Sequence, residues 1–258
     1  MSLTRTQQRT LRALATRQGR RKSESFAAEG LRCCTEAVRR RPEWLEWAVV
    51  SEEFADDALL DLLAAAGHPA IRLPASEFAA LSLTDSPQGV LCVLRRPDMA
   101  AAAEPDPFVL VLDRVADPGN VGTILRTAWA VGLRHVAITT GTADPYAPKT
   151  VRAGMGAQFA VGIEAHADLA AARAHYAGVG YDTLWLTAPL GEADCFAPAF
   201  ELRRSLLVLG NEAAGVDPTP GARTVRIPMP GDAESLNVAQ AATILLFDAV
   251  RRGLLAQE

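Results

Sequence analysis

The hydrophobic and polar positions along the chain predict two successive stretches in which strands and helices alternate. In the first stretch, apolar residues at helical spacing predict helices, and short apolar, β-branched runs predict strands. The predicted helices cover 4–18, 31–40 and 54–66, and the predicted strands cover 26–30, 47–50, 71–73 and 88–94. This alternation indicates a small α/β unit.

A longer α/β pattern follows a segment rich in proline and alanine. The strands are predicted at 108–112, 135–139, 160–163, 183–186, 205–209 and 224–227, and the helices at 121–131, 150–154, 168–176 and 236–252. Strands that are apolar throughout and alternate with helices predict a parallel sheet covered on both faces. With the proline-containing segment as a linker, we predict an N-terminal domain at 1–97, a linker at 98–106 and a C-terminal domain at 107–258.

The composition narrows the class of protein. A chain of 258 residues with 49% hydrophobic and 22% charged residues has the makeup of a soluble globular protein. No apolar run approaches the roughly 20 residues that span a bilayer, so we predict a cytoplasmic protein with no membrane partner. The four cysteines lack metal-binding spacing, which favours reduced structural thiols and no metal cofactor.

The formal net charge of −4 is distributed unevenly. Residues 1–41 contain eleven Arg/Lys and three acidic residues, a net charge of +8, whereas the remaining residues carry −12. A basic N-terminus on an acidic body favours binding of a polyanion. Two other interpretations remain open, namely a solvated helix face and, for the Arg-rich, acid-free residues 1–22, a transit peptide.

Three polar segments of the C-terminal stretch carry the candidate chemistry. In the third of these segments, residues 227–238, a Gly/Pro loop places Ser235, Leu236 and Asn237 at the start of an apolar helix. The start of a helix exposes free backbone N–H groups, here beside small polar side chains. That arrangement suits a compact polar ligand, although Ser235 as a plain helix N-cap is an equally supported interpretation. The segments are Asp117-Pro-Gly-Asn120-Val-Gly122-Thr-Ile-Leu-Arg126, Leu209-Gly210-Asn-Glu212-Ala-Ala-Gly215-Val and Ile227-Pro-Met-Pro-Gly-Asp-Ala-Glu-Ser235-Leu-Asn237-Val238.

Two common nucleotide-binding motifs are missing from the sequence. There is no phosphate-binding loop of the G-x-x-x-x-G-K-[ST] type, and Gly154-Met-Gly156 lacks the third glycine of a dinucleotide-binding fingerprint. A Rossmann-type enzyme is therefore disfavoured. None of the three polar segments contains histidine, which argues against acid–base catalysis by histidine.

The three segments, in this order, resemble the signature motifs of the SpoU-type RNA ribose 2'-O-methyltransferases, over residues 107–252. The resemblance implies an α/β fold in which the C-terminal parallel-sheet domain contains a deep trefoil knot, an exception to the rule against threaded chains. It also implies S-adenosylmethionine as methyl donor, ribosomal or transfer RNA as substrate, and a homodimer formed through the catalytic domain. The Phe26-x-x-Glu29-Gly30 and Pro87-Gln-Gly-Val90 patterns resemble, more loosely, a ribosomal-protein-like substrate-binding domain.

The resemblance also implies roles for individual residues. The methyl donor would contact Gly210, Ile227, Met229 and Leu236. The alternatives are that Gly210 serves only the geometry of a turn and that Ile227 and Leu236 are ordinary core residues. Asn120 and Arg126 would lie at the reacting ribose and phosphate, and Glu212 would orient either loop groups or these two side chains. Ser235 and Asn237 would form hydrogen bonds within the knotted loops and help to position the ribose. Asp117 departs from the family, in which asparagine is frequent there. Arg126 and Glu212 as plain surface residues are the alternative.

The identity of the proton acceptor stays open at this stage. A guanidinium remains protonated, so we interpret Arg126 as a phosphate-binding group that stabilises charge; a phosphate or water would then accept the proton. The target RNA and nucleotide are also open. One alternative function is a non-catalytic RNA-binding factor with the same fold. Another, a phosphate-ester enzyme on a flavodoxin-like sheet, requires a metal-binding carboxylate cluster or a phosphate loop, and the sequence has neither.

Overall fold

The computed structural model describes residues 3–99 and 106–255, and within them the chain folds into two compact units. The first unit contains the residues up to Asp98 together with Asp144–Ala160. The second contains Met99–Ala143 and the residues from Val161 onwards. The segment 144–160, which falls inside the predicted C-terminal domain, therefore packs with the N-terminal residues.

A four-stranded mixed sheet forms the centre of the first unit. Its strand order is β1-β4-β2-β3, with β4 antiparallel to β1 and β2, and β3 parallel to β2. The strands are β1 (Ser25–Glu29), β2 (Leu45–Ser51), β3 (Ile71–Leu73) and β4 (Val90–Arg95), and the helices are α1 (Arg5–Leu14), α2 (Arg17–Ser23), α3 (Leu31–Arg40), α4 (Asp57–Ala65) and α5 (Ala75–Leu81). The α/β unit predicted from the sequence is present.

The helix predicted at 4–18 is in fact two helices. Thr4 caps α1 with a capping box completed by Gln7, and Thr16 begins α2 by accepting a hydrogen bond from the Gly19 amide at 3.0 Å. An N-cap residue has extended backbone angles, so Thr16 interrupts the helical path. Leu11 and Leu14 are buried, as the helical pattern predicts.

Arg20 is the exception among the basic N-terminal residues because it is buried. Its guanidinium forms an ion pair with Asp144 at 2.8 Å, in which both side chains are at most 5% exposed, and it donates a hydrogen bond to the Leu14 carbonyl at 2.8 Å. The C-terminus of α1 is thus tied to α2 and to the segment 144–160. Removing one partner of a buried ion pair is strongly destabilising, so Arg20 stabilises the fold.

A seven-stranded sheet forms the centre of the second unit, in the order β7-β6-β5-β10-β8-β11-β9, and every pair of neighbouring strands is parallel. This confirms the predicted parallel sheet and α/β class, while the trefoil knot stays a prediction. The strands are β5 (Val109–Leu112), β6 (His135–Thr139), β7 (Gly162–His166), β8 (Thr183–Thr187), β9 (Ala193–Asp194), β10 (Ser205–Leu209) and β11 (Arg223–Arg226).

The three helices described in the second unit begin one to three residues away from their predicted starts, and each N-terminus is fixed by a side-chain cap. The helices of the chain after α5 are α6 (Pro118–Ala130), α7 (Pro148–Gly154, in the first unit), α8 (Leu169–Ala177) and α9 (Val238–Arg251). Asp117 caps α6, so the helix begins at Pro118, three residues before the predicted start at 121. Asn120 therefore lies in its first turn. Asn237, not Ser235, caps α9. Within the described residues, no helix is long and apolar enough to cross a membrane.

Candidate active site

The loops that follow β8, β10 and β11 converge with the N-terminus of α9 around a cavity of about 560 Å³. Because the sheet is parallel, the carboxyl ends of its strands meet at one edge, where ligands bind in open α/β sheets. The volume is within the usual range for small-molecule sites. The cavity is lined by residues that include Thr187, Gly210, Glu212, Ile227, Ser235 and Leu236.

All four residues predicted to contact the methyl donor line this cavity, namely Gly210, Ile227, Met229 and Leu236. Gly210 also has a local reason to be glycine. A Cβ there would lie 2.4 Å from the Gly215 carbonyl carbon, and the Asn211 and Gly215 amides and carbonyls pair across the loop. Gly210 therefore lets the loop fold back on itself, while the apolar side chains of Ile227 and Leu236 supply cavity wall.

Asn120, Glu212 and Asn237 form one hydrogen-bonded network, although they come from three different motifs. The Nδ2 atom of Asn120 donates to Oε1 of Glu212 at 2.9 Å, and Nδ2 of Asn237 donates to Oδ1 of Asn120 at 3.0 Å. Glu212 also accepts the backbone amides of Ala116 and Asp117 at 3.0 and 3.1 Å. The amide group of Asn120 is thereby fixed on both its oxygen and its nitrogen.

The electrostatic environment keeps Glu212 ionised. Partial burial opposes the charge, but the hydrogen bonds from Asn120 and from the amides of Ala116 and Asp117 outweigh it and lower the pKa of Glu212. The carboxylate thus accepts three donors, of which two are the backbone amides that lead into α6 and one is the Asn120 side chain in the first turn of that helix. It connects the loop after β10, which lines the cavity, to the start of α6.

The two other predicted catalytic residues are placed differently. Ser235 lines the cavity and has no hydrogen-bond partner among the described residues. Arg126 is exposed on α6 and does not line the cavity, and its guanidinium has no hydrogen bond or ion pair within 3–99 and 106–255. The structure therefore groups Asn120, Glu212 and Asn237, places Ser235 beside them, and leaves the Arg126 guanidinium free in solvent.

Sequence reasoning missed Asp113 and Arg114, which directly follow β5 at the same edge of the sheet. Asp113 is buried and accepts a hydrogen bond from the Thr139 hydroxyl at 2.7 Å. Arg114 has a left-handed backbone with φ of 58°, which is unusual for a long side chain. A polar pair at the carboxyl end of a fully apolar strand was the available signal.

None of the four histidines lines the cavity, and within the described residues no cluster of His, Cys, Asp and Glu is arranged to hold a metal ion.

Comparisons with known proteins identify the family of this chain. The model of the SpoU rRNA methylase family matches residues 107–247, and that of the MRM3-like substrate-binding domain matches residues 6–92. The 23S rRNA (guanosine(2553)-2'-O)-methyltransferase RlmP of Bacillus subtilis is 32% identical over 240 residues, covering 91% of this chain and 92% of the relative.

Two solved structures are similar over nearly the whole chain. The SpoU methyltransferase AviRb from Streptomyces viridochromogenes, in complex with the cofactor AdoMet, has a TM-score of 0.85 at 28% identity and covers 99% of this chain and 100% of its own. An AdoMet-bound rRNA methyltransferase from Sinorhizobium meliloti has a TM-score of 0.79 at 30% identity, with 99% and 98% covered.

The chain therefore belongs to the SpoU rRNA methylase family. The predicted activity, an S-adenosylmethionine-dependent RNA ribose 2'-O-methyltransferase, is confirmed at the level of the family. The cavity fits this donor, because apolar residues such as Ile227, Leu236 and Leu245 can contact an adenine, and the loop 210–215 offers backbone groups to its polar edge.

Proposed function

We propose that the protein methylates a ribose 2'-hydroxyl of ribosomal RNA, with Asn120, Arg126, Glu212, Ser235 and Asn237 as the catalytic set. The observation that carries the proposal is the Asn120–Glu212–Asn237 network, two members of which line the cavity. The choice of ribosomal over transfer RNA is supported by the names of the relatives from Bacillus subtilis and Sinorhizobium meliloti.

The donor supplies an electrophilic methyl group on a sulfonium sulfur, so the protein has to align the ribose and stabilise charge. Asn120 suits the aligning role. Its Nδ2 carries two N–H bonds, of which one is directed to Glu212, and its Oδ1 is held by Asn237. The second N–H has no partner among the described residues and is available to a ribose oxygen. Ser235, whose hydroxyl is also without a partner there, provides a second polar contact for the ribose.

Arg126 suits the charge-stabilising role. Its guanidinium is exposed and makes no ion pair within the described residues, so it can bind an RNA phosphate without first breaking an internal contact. A planar guanidinium binds phosphate through two parallel hydrogen bonds. The positive charge beside the reacting nucleotide stabilises the developing alkoxide. A phosphate or water accepts the proton, because the guanidinium itself stays protonated.

The N-terminal unit supplies affinity for RNA in this proposal. Its match to a substrate-binding domain supports the assignment, as do the exposed basic residues on its first helices. These residues, which we call the basic face, are Arg5, Arg9 and Arg12 on α1 and Arg17, Arg21 and Lys22 on α2. Phosphate contacts of this kind provide affinity without reading sequence.

We further propose a cytoplasmic homodimer that forms through the catalytic unit. The dimer is supported by Phe247 on α9, which is 52% exposed although the same helix buries Leu245 and Leu246. The cytoplasmic location is supported by the four cysteines, which are all buried and form no disulfide. An exposed aromatic on a core helix favours a protein interface. Sedimentation should show a dimer at micromolar concentration; a monomer at every concentration would contradict this part of the proposal.

A map of ribose methylation tests the function directly. Ribosomal RNA from cells with and without the gene is compared by mass spectrometry, and the gene is returned either unchanged or as Asn120→Ala. We expect one 2'-O-methylated nucleotide to disappear on deletion and to return only with the unchanged gene. If the Asn120→Ala gene also restored the methylated nucleotide, and another enzyme proved to be its source, the result would favour the alternative function of a non-catalytic RNA-binding factor.

A further inference from the structure

Arg114 contacts both ends of the loop 210–217, six residues of which line the cavity. At the first end, the Arg114 carbonyl accepts a hydrogen bond from Nδ2 of Asn211 at 3.0 Å. At the other end, Nη2 of Arg114 forms an ion pair with Oδ2 of Asp217 at 2.9 Å. Arg114, the second residue after β5, therefore contacts a loop that lies about a hundred positions later in the chain.

The position of Arg114 is itself fixed from the side of the sheet. Its guanidinium pairs with the buried Asp113 at 3.0 Å, and its backbone amide donates to the Thr139 hydroxyl at 3.2 Å. Hydrogen bonding and charge from Asp113 raise the pKa of Arg114. The stem of the side chain lies against Gly141, where a Cβ would come within 3.0 Å of it. Arg114 is thus rigidly anchored on one side and contacts the loop on the other.

The backbone of Arg114 is part of this arrangement. A φ of 58° is energetically costly for a residue with a long side chain and persists where surrounding contacts impose it. In this conformation the Arg114 carbonyl meets Asn211, while its side chain reaches Asp217. Two residues later the chain supplies the Ala116 amide to Glu212, so the same turn leads into the Asn120–Glu212–Asn237 network.

We propose that Arg114 is a positioning residue that holds the loop 210–217 in its donor-binding conformation and thereby sets the affinity for S-adenosylmethionine. The inference rests on the proposed function and extends it to a residue outside the three motifs. Preorganisation of a binding loop raises affinity because less order has to be imposed when the ligand binds. Arg114 touches neither the cavity nor the catalytic side chains, so its effect passes through the loop.

The test uses two arginines with the same backbone conformation. Arg204 also has a left-handed φ, of 51°, and is exposed, but it precedes β10 at the opposite end of the strand from the cavity. Asparagine tolerates this conformation. Arg114→Asn and Arg204→Asn therefore impose the same chemical change on the same backbone geometry, and only the first removes the contact with Asp217.

Calorimetric titration with S-adenosylmethionine should show that Arg114→Asn weakens binding about tenfold, a usual size for coupling between sites, while Arg204→Asn stays within about twofold of the unmodified protein. Arg114→Lys should recover part of the affinity at low salt. Raising the salt concentration should reduce the gap between the unmodified protein and Arg114→Asn, because an exposed pair with Asp217 is screened. A purely structural role would lower thermal stability without this salt dependence.

Asp217→Asn provides a second, gentler variant. The Asp217 side chain is 73% exposed, so its replacement leaves the fold intact, and it should weaken donor binding in the same direction as Arg114→Asn. Unchanged affinity in both Arg114→Asn and Asp217→Asn would overturn the inference. If the unmodified protein bound the donor but methylated no RNA, the proposed function would be contradicted. The ratio between the donor affinities of the unmodified protein and Arg114→Asn would still decide the role of Arg114.

Discussion

The side-chain amide of Asn237 donates a hydrogen bond to the side-chain oxygen of Asn120 at 3.0 Å, although the two residues are 117 positions apart. Asn237 also caps α9 by accepting the amides of Ala239 and Gln240. One side chain therefore both begins the last helix and fixes the amide group proposed to hold the ribose. The orientation of Asn120 depends on the correct start of α9, which links the local structure of the third motif to the chemistry of the first.

Glu212→Gln should disable the site while preserving its shape. The Glu212 carboxylate accepts three N–H donors, and a neutral amide would direct its own N–H groups at some of them. Hydrogen bonds to a charged group contribute about 1.5–3 kcal/mol, so methyl transfer should fall by roughly one to two orders of magnitude. The matched control is Glu192→Gln, at an exposed position outside the cavity, which should keep full activity. Equal activity of the two variants would contradict the role of Glu212.

Arg126→Ala should abolish most methyl transfer without affecting donor binding. Loss of one electrostatic group that stabilises the transition state usually costs about 10²–10³-fold in rate, and the donor is assigned to residues around the cavity that Arg126 does not line. Arg126→Lys should rescue poorly, since an ammonium lacks the bidentate geometry. Arg203→Ala, at another exposed arginine of the same unit, is the control. Near-normal turnover of Arg126→Ala would identify Arg126 as an ordinary surface residue.

Gly210→Ala should weaken binding of S-adenosylmethionine because the added methyl group meets backbone rather than a flexible side chain. Its Cβ would lie 2.4 Å from the carbonyl carbon and 2.5 Å from the carbonyl oxygen of Gly215. The loop must open to accommodate it. Gly231→Ala offers a comparison, because a Cβ at Gly231 meets nothing within 4 Å. Calorimetry should show a large loss of affinity for the first variant and none for the second.

The basic face and the buried Arg20 should respond differently to mutation. Replacing Arg5, Arg9 and Arg12 by Gln should weaken RNA binding and reduce the slope of log affinity against log salt by about 2–3, since each phosphate contact contributes roughly 0.7–0.9. Arg20→Gln should leave that slope unchanged and destabilise the fold by about 3 kcal/mol, because it breaks a buried ion pair with Asp144. An unchanged slope in the triple variant would show that the basic face is merely solvated.

Much of the fold could be predicted because long apolar runs decide where strands form. Strands β6 and β10 and helix α3 have the predicted bounds. Helix α5 and strand β9 were missed; they are short and are defined mainly by tertiary contacts. The break between α1 and α2 was missed because it depends on the Thr16 cap, which competes with a continuous helical pattern.

The candidate site was predictable only where residues belong to a motif. The resemblance to a family placed Asn120, Glu212 and Asn237 together, and the structure adds the hydrogen bonds that join them. The proposed role of Arg114 could not be inferred in the same way. It depends on a left-handed backbone and on partners, Asn211 and Asp217, that no local pattern connects to it.

The most direct test of the central claim is transfer of an isotopically labelled methyl group from S-adenosylmethionine to purified ribosomal RNA by this protein, followed by nucleoside analysis in a mass spectrometer. We predict that the label is found on the 2'-oxygen of a single ribose, in a nucleotide that resists alkaline cleavage, and that Glu212→Gln incorporates far less. Label on a base, or no label from a protein that binds the donor and the RNA, would contradict the account.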